Sequence, residues 1–227
     1  MTLRCGGLGV RLGDREVLRD VTLDLDARTI AVIGDNGSGK STFARVVAGL
    51  VRRGAGTLEV LGHDPDTDAA AHRRRVALVL SNPDAQIVMP VVADDVAFSL
   101  RPQRLPRAER TARVSAALDR FGLADLAERP AYDLSGGQKQ LLALCGAFVR
   151  DPALVVADEP TAFLDARNAR RVADHLLADG PHRLVLVTHD LALARRCDAA
   201  VLFADGRAVA AGAASGVVDR YEEALAC

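Results

Sequence analysis

The stretch that decides the fold is TIAVIGDNGSGKST, residues 29–42. Its first five residues, Thr29 to Ile33, form an apolar β-branched run of strand length, and Gly34 to Gly39 then punctuate the chain. From Ser41 to Leu50 the pattern is helical. A strand, a glycine-rich turn and a helix in that order open an α/β sheet. The turn fits GxxxxGK[ST], with Gly34 first and Lys40-Ser41 last. The amides of Asn36, Gly37, Ser38, Gly39, Lys40, Ser41 and Thr42 can turn inward around phosphate, and the helix N-terminus adds its positive dipole end. Lys40 would reach the β and γ oxygens, and Ser41 would ligate Mg²⁺.

Working outward, Val21–Leu25, Gly56–Gly62, Val76–Leu80, Leu154–Ala157 and Leu184–Thr188 also read as strands. The last three are continuous apolar runs, as expected of strands covered on both faces. Between about Ser81 and Arg150 the pattern is helical only, at Val92–Ser99, Arg107–Phe121 and Leu141–Val149, and is broken by Pro102, Pro106 and Pro130. This predicts a helical insertion in a sheet domain. Beyond it the βα rhythm returns, with a helix over about 168–178, strands over 199–204 and 206–211, and a terminal helix.

Composition narrows the function. At roughly 150 residues per domain, the 227 residues make one ordinary domain with a sizeable insertion. The 40 alanines against 8 aromatic residues predict a core of small side chains, rich in helix. A net charge of −1 gives no basic excess for a nucleic-acid backbone, so nucleic acid is not expected as the main ligand. The cations are 27 Arg and only two Lys, Lys40 and Lys139, so each surviving lysine asks for a reason. Cys5, Cys145, Cys197 and Cys227 form no CxxC pair and none lies at metal-ligand spacing from a histidine, which reads as buried or terminal thiols in a reducing compartment. The N-terminus lacks the apolar core of a signal peptide, and no run approaches the roughly 18 apolar residues of a membrane span. A cytosolic protein held on a membrane by a partner is expected.

Two further motifs carry chemistry. Leu154-Val-Val-Ala-Asp-Glu159 is an apolar strand ending in two acids, which places Asp158 at the carboxyl end of a parallel sheet, where such sheets bind ligands. Asp158 suits Mg²⁺, and Glu159 suits a general base that orients the attacking water. Leu134-Ser-Gly-Gly-Gln-Lys139 opens a helix with Ser135 as N-cap, and its glycines leave an anion-binding helix end open. A second phosphate-binding helix end beside a single phosphate loop points to two molecules sharing a nucleotide.

On these residues the chain resembles the nucleotide-binding subunit of ATP-binding cassette transporters over essentially its whole length. LSGGQ, here Leu134–Gln138, sets it apart from kinases and GTPases. The resemblance implies a P-loop NTPase, RecA-like α/β core over 1–80 and 151–227, with an antiparallel β subdomain and an inserted α-helical signature subdomain over 81–150. It implies Mg²⁺ and ATP as cofactors and a head-to-tail dimer in which Ser135, Gly136, Gly137 and Gln138 of one subunit complete the site of the other. Asp165, in Phe163-Leu-Asp165, matches the loop that contacts the partner subunit. His189, in Val187-Thr-His-Asp190 and 30 residues beyond Glu159, matches the histidine that meets the γ-phosphate.

The chain departs from the family at two places. Ser81 stands where the family has a Gln that touches Mg²⁺ and water, and a serine hydroxyl reaches less far. Gln86 or the partner would have to compensate, or turnover slows. Leu12 stands at the position of the aromatic that stacks on adenine, so it can pack against the base but not stack on it. With Lys40, Ser135, Asp158, Glu159 and His189 all present, an active ATPase is expected.

Leu80-Ser-Asn-Pro-Asp-Ala-Gln86-Ile with Asp94-Asp-Val-Ala-Phe98 is similar to a segment of energy-coupling factor importers, which take up vitamins and transition-metal ions. There it lies in the groove that receives the transmembrane T subunit. The implied partners are a second ATPase subunit, that T subunit and a substrate-binding membrane S subunit, on the cytoplasmic face of the membrane. The chain's shortness resembles the biotin-importer ATPase, which implies a homodimer and biotin, with cobalt or nickel next. A soluble cassette ATPase of translation or DNA repair would carry two cassettes or a long coiled-coil insertion, and neither is present. A non-hydrolysing regulatory module has only Ser81 and Leu12 in its favour.

Overall fold

The structure is a computed structural model describing residues 3–226. Two long strands, β1 (Leu3–Leu12) and β2 (Arg15–Leu25), lead into β3 (Thr29–Gly34) and α1 (Lys40–Val47). Strand β4 (Ala55–Val60) pairs with the other edge of β1, giving a three-stranded antiparallel sheet in the order β2-β1-β4. The sequence reading placed no strand before Val21. The glycines Gly6, Gly7 and Gly9 break the periodicity of β1 and disfavour strand intrinsically. Pairing on both edges overrides that, with Leu3, Cys5, Leu8 and Val10 buried on one face and register shifts absorbing the glycines.

A short helix α2 (Ala69–Arg75), also not foreseen, runs into β5 (Val76–Val79). Its His72 is buried, and Nε2 lies 2.9 Å from the Val47 carbonyl. The principal sheet has the order β5-β6-β7-β3-β8-β9, with β6 (Leu154–Asp158), β7 (Arg183–Val187), β8 (Ala199–Ala204) and β9 (Arg207–Ala213). Strands β6, β7, β3 and β8 are mutually parallel, and β9 turns back antiparallel. Every residue of β3 and β6 is buried, as their uninterrupted apolar runs require. At the carboxyl ends Glu159 N donates to the Val187 carbonyl at 3.0 Å and Thr188 N to the Val32 carbonyl at 3.2 Å, so the loops leaving β6, β7 and β3 are fastened together.

The chain divides into two compact units. The first comprises residues 1–77, 153–159 and 179–227, and closes with α7 (Leu191–Ala194) and α8 (Ala214–Leu225). The second comprises residues 78–152 and 160–178. Its helices are α3 (Val92–Ser99), α4 (Arg107–Phe121), α5 (Gly136–Phe148) and α6 (Ala166–Leu177). Helix α4 begins directly after Pro106 and ends at Gly122, whose φ of 67° makes it a left-handed C-cap. Phe121, fully buried, is the hub of this unit: its ring lies 5.7 Å from that of Phe148 on α5 and 4.5 Å from His175 on α6.

Many of the core side chains are alanine and valine, and only Phe43, Phe121 and Phe203 are large aromatics with almost no exposure. Cys5, Cys145 and Cys197 are buried free thiols, pushed by burial up to about 11, about 12 and about 12 respectively; Cys227 lies outside the described residues. Among the described residues no helix is long and apolar enough to cross a membrane.

Candidate nucleotide site

The site grows from the end of β3. Gly34 has φ 132°, and a Cβ there would collide with the Phe203 carbonyl on β8, so the turn must start on glycine. Gly37 (φ 80°) and Gly39 (φ 105°) continue the left-handed path, and α1 starts at Lys40. The turn between β8 and β9 fastens the loop from outside: Gly206 N donates to the Ser38 carbonyl at 3.0 Å, and Arg19 N to the Gly206 carbonyl at 2.8 Å.

Lys40 is 6% exposed, and its ammonium donates to the carbonyls of Gly34 and Asp35, both at 2.8 Å. Burial lowers its pKa from the usual lysine range, against the opposing pull of the Glu159, Asp35 and Asp158 carboxylates. Its hydrogen bonds go to neutral carbonyls, so a polyanion in the loop would add an ionic partner in direct contact. Ser38 Oγ is buried with no hydrogen-bond partner among the described residues, and such an orphan hydroxyl beside a phosphate-shaped turn also fits an absent acceptor.

The acidic end of β6 meets this loop. Ser41 Oγ donates to Asp158 Oδ1 at 2.9 Å across 117 residues of sequence, and Asp158 is itself 6% exposed. Two hard oxygen donors at one point suit a divalent cation with oxygen preference. Glu159 follows with φ 51°, a left-handed conformation unusual for a glutamate. Its Oε2 lies 2.7 Å from His189 Nδ1 and accepts the His189 amide at 3.4 Å. One open cavity of about 380 Å³ is lined by Leu12, Arg15, Val17, Asn36, Gly37, Gly39, Lys40, Ser41, Thr42 and Glu159. Leu12, 45% exposed, is thus in the cavity wall at the end of β1. Arg15 and Val17 were not anticipated; the only signal was their place just after the Gly13-Asp14 turn.

In the second unit Ser135 caps α5. Its Oγ accepts the Gln138 amide at 3.3 Å, while its own amide donates to Gln138 Oε1 at 2.9 Å. Gly137 is buried, and a Cβ on it would strike the Asn168 side-chain amide. Asn168 is held in turn by Asp165, the N-cap of α6: Oδ1 accepts its backbone amide at 2.9 Å and Oδ2 its side-chain amide at 2.7 Å. These bonds, led by the one from the backbone amide, hold the Asp165 carboxyl below the usual carboxylate range. Nothing in the sequence flagged Asn168, because only the folded α6 brings it against Gly137. Phe163, just before, is 96% exposed with φ 64°.

Ser81 is half-buried in the turn after β5. Gln86, considered as its substitute, is engaged at both ends with β5 and the residue that follows it: Oε1 accepts the Leu80 amide at 2.7 Å and Nε2 donates to the Leu78 carbonyl at 2.9 Å. Lys139, the second lysine, pairs with Asp84 of the same turn at 2.8 Å, and the buried Gln140 donates to the Leu80 carbonyl at 3.1 Å.

The profile of the ABC transporter family matches residues 18–162. A putative ABC transporter ATP-binding protein of Deinococcus radiodurans is 44% identical over 212 residues, covering 93% of each chain. The biotin transport ATP-binding protein BioM of Rhizobium etli is 38% identical over 226 residues, covering 100% of both. Among solved structures, cbiO1 of Clostridium perfringens, part of the ABC transporter complex cbiONQ, superposes with a TM-score of 0.86 at 26% identity, covering 97% of this chain and 92% of that one.

Proposed function

The chain belongs to the ABC transporter family and is an ATPase, and from that premise we propose that it powers an energy-coupling factor type importer of a vitamin or transition-metal ion, with biotin favoured. The observation that carries the site assignment is the meeting of Lys40, Ser41 and Glu159 in one cavity, with Ser41 hydrogen-bonded to Asp158. What supports the importer class is the Ser81–Ile87 turn with Asp94–Phe98, together with the full-length similarity to a biotin transport ATP-binding protein.

In this reading the amides from Asn36 to Thr42 and the Lys40 ammonium take the phosphates. Lys40 changes partners from the Gly34 and Asp35 carbonyls to phosphate oxygens, which matches a group already pre-placed and held by neutral acceptors. Ser41 and Asp158 would hold Mg²⁺, which when bound would screen the charge on the phosphates. Leu12 packs against the base.

Glu159 aligns the attacking water and accepts its proton, and His189 stabilises charge at the γ-phosphate. With its Nδ1 proton given to Glu159, His189 can donate from Nε2 only as the doubly protonated ring. Ser135, Gly136, Gly137 and Gln138 act on the nucleotide of a second copy, with Asp165 at the contact between copies. The chain then works as one cassette, residues 1–227, in a homodimer on the cytoplasmic face of the membrane, bound to a T subunit and an S subunit.

The test is to tag the protein in its native host, solubilise membranes gently and identify what co-purifies. A T-type membrane protein with a small biotin-binding membrane protein is the expected result. A metal-binding one in its place would move the substrate to cobalt or nickel. Recovery without any membrane protein would overturn the importer reading.

A further inference from the structure

The terminal helix α8 reaches the phosphate loop through the side chain of Tyr221. Ala214, Val217 and Val218 bury one face of α8 over the principal sheet, and Tyr221 follows at three and four residues' spacing, on that same face in the helix's second half. Its phenol oxygen lies 2.6 Å from Asp35 Oδ1, a short hydrogen bond of the charge-assisted kind. Tyr221 is one of only two tyrosines in the chain, and its partner is 186 residues away. Burial, and then the bond to Asp35, push the phenol up to about 12, so it remains a donor throughout the ordinary pH range.

Asp35 occupies an awkward place. Its carbonyl accepts the Lys40 ammonium at 2.8 Å and the Ser38 amide at 3.2 Å, so its backbone helps to build the loop that would receive phosphate. Its side chain is an exposed carboxylate within that same loop, a negative charge where a polyanion must settle. Asp35 is nevertheless absent from the lining of the 380 Å³ cavity, although Asn36, Gly37, Gly39 and Lys40 all line it. The hydrogen bond from Tyr221 is what engages the carboxylate on the α8 side.

The same helix is anchored next to the other end of the site. Arg195, at the C-cap of α7, pairs with Asp219 at 2.6 Å and Glu222 at 2.7 Å on α8, and α7 starts immediately after His189 and its N-cap Asp190. Helix α8 is therefore held in place by groups flanking Tyr221 on either side. A phenol on a helix fixed in this way has a defined reach.

We propose that Tyr221 is a positioning residue of the nucleotide site: it holds the Asp35 carboxylate out of the phosphate cradle, so that the phosphates meet Lys40 without an opposing charge. This rests on the assignment of Gly34 to Thr42 as the phosphate loop. A phenylalanine at 221 would keep the ring and its packing but release the carboxylate to turn into the loop.

The experiment compares four full-length proteins, the parent, Y221F, D35N and Y221F/D35N, by ATP titration and by steady-state hydrolysis. Y221F raises KM for ATP on the order of threefold to tenfold with kcat near the parent value, as expected for loss of a partly exposed charge-assisted hydrogen bond. In the D35N background the Tyr221→Phe change has no effect on KM, because the neutral amide repels nothing. An unchanged KM in Y221F, or an equal rise in both backgrounds, overturns the proposal and makes Tyr221 a packing residue. Lys40→Met separates the two levels. If that variant binds ATP as the parent does, the phosphate-loop assignment itself is wrong; if it loses binding while the Tyr221 comparison fails, only the role of Tyr221 falls.

Discussion

Glu159 Oε2 stands 2.7 Å from His189 Nδ1, bringing together an acid at the end of β6 and an imidazole at the end of β7. Neither residue is a sequence neighbour of the other, and both sit on loops leaving adjacent parallel strands. In Glu159→Gln the amide keeps the size and can still meet His189, but it cannot accept the water's proton. Hydrolysis is expected to fall by about 10²–10⁴, while ATP stays bound and an ATP-dependent dimer persists in gel filtration. Phosphate release at the parent rate would sink the assignment of Glu159 as base.

Lys40 carries charge in a site where burial opposes it. Its folded pKa lies below the usual 10.5, so the charged form is penalised in the fold at pH 7, and that penalty fades only as pH rises from the folded pKa towards 10.5. Lys40→Met removes the penalised charge and leaves the methylene stem packed. The apo variant should melt at or above the parent temperature at pH 7, whereas ATP, which raises the parent's Tm, should leave that of the variant unmoved. Calorimetry with and without ATP reads both effects.

The clash awaiting any Cβ at Gly137 is with Asn168, and Asn168 is tied to Asp165. Gly137→Ala should therefore push Asn168 off and cost roughly 1–3 kcal/mol in unfolding free energy, the usual range for overpacking. Adding Asn168→Gly makes room, so the double variant should recover part of that stability, after allowance for what Asn168→Gly costs alone. A double-mutant cycle by urea unfolding that shows simple additivity would remove Asn168 as the reason for glycine at 137.

One buried histidine, His72, and one half-buried, His175, make the fold acid-sensitive. Burial lowers the pKa of His72 and of His175 from 6.5, so the unfolded chain takes up protons that the folded chain refuses. The stability they allow is complete above pH 6.5 and is lost as pH falls through 6.5 towards their folded values. Urea unfolding at pH 7.5 and 5.5 should show the parent weaker at 5.5. In His72→Gln, whose amide can still approach the Val47 carbonyl, the difference should narrow. An unchanged difference would mean that His72 is not the titrating group.

The local motifs needed little beyond the chain itself. An apolar strand ending in glycine, a turn of glycines and a helix opening on Lys40-Ser41 form a short-range unit, and each backbone requirement within it is met by residues adjacent in sequence. The same holds for the capping box of Ser135 and Gln138 and for the proline-bounded start of α4. The core strands were legible because burial on both faces leaves an apolar run that nothing else of that length explains. Strand β1 was not, since its glycines hide the alternation and only its two paired neighbours, β2 and β4, hold it extended.

Three of the site's relationships belong to tertiary structure alone. Ser41 finds Asp158 across 117 residues, Glu159 finds His189 across 30, and Asp35 finds Tyr221 across 186. Sequence motifs named the acids and the lysine as candidates, and resemblance added the histidine. Which carboxylate faces a hydroxyl, which faces an imidazole and which is held by a phenol depends on how parallel strands are ordered in the sheet and where a terminal helix lands. Hydrogen bonds of about 3 Å are decided by that geometry, because their partners come into range only after the intervening strands have paired.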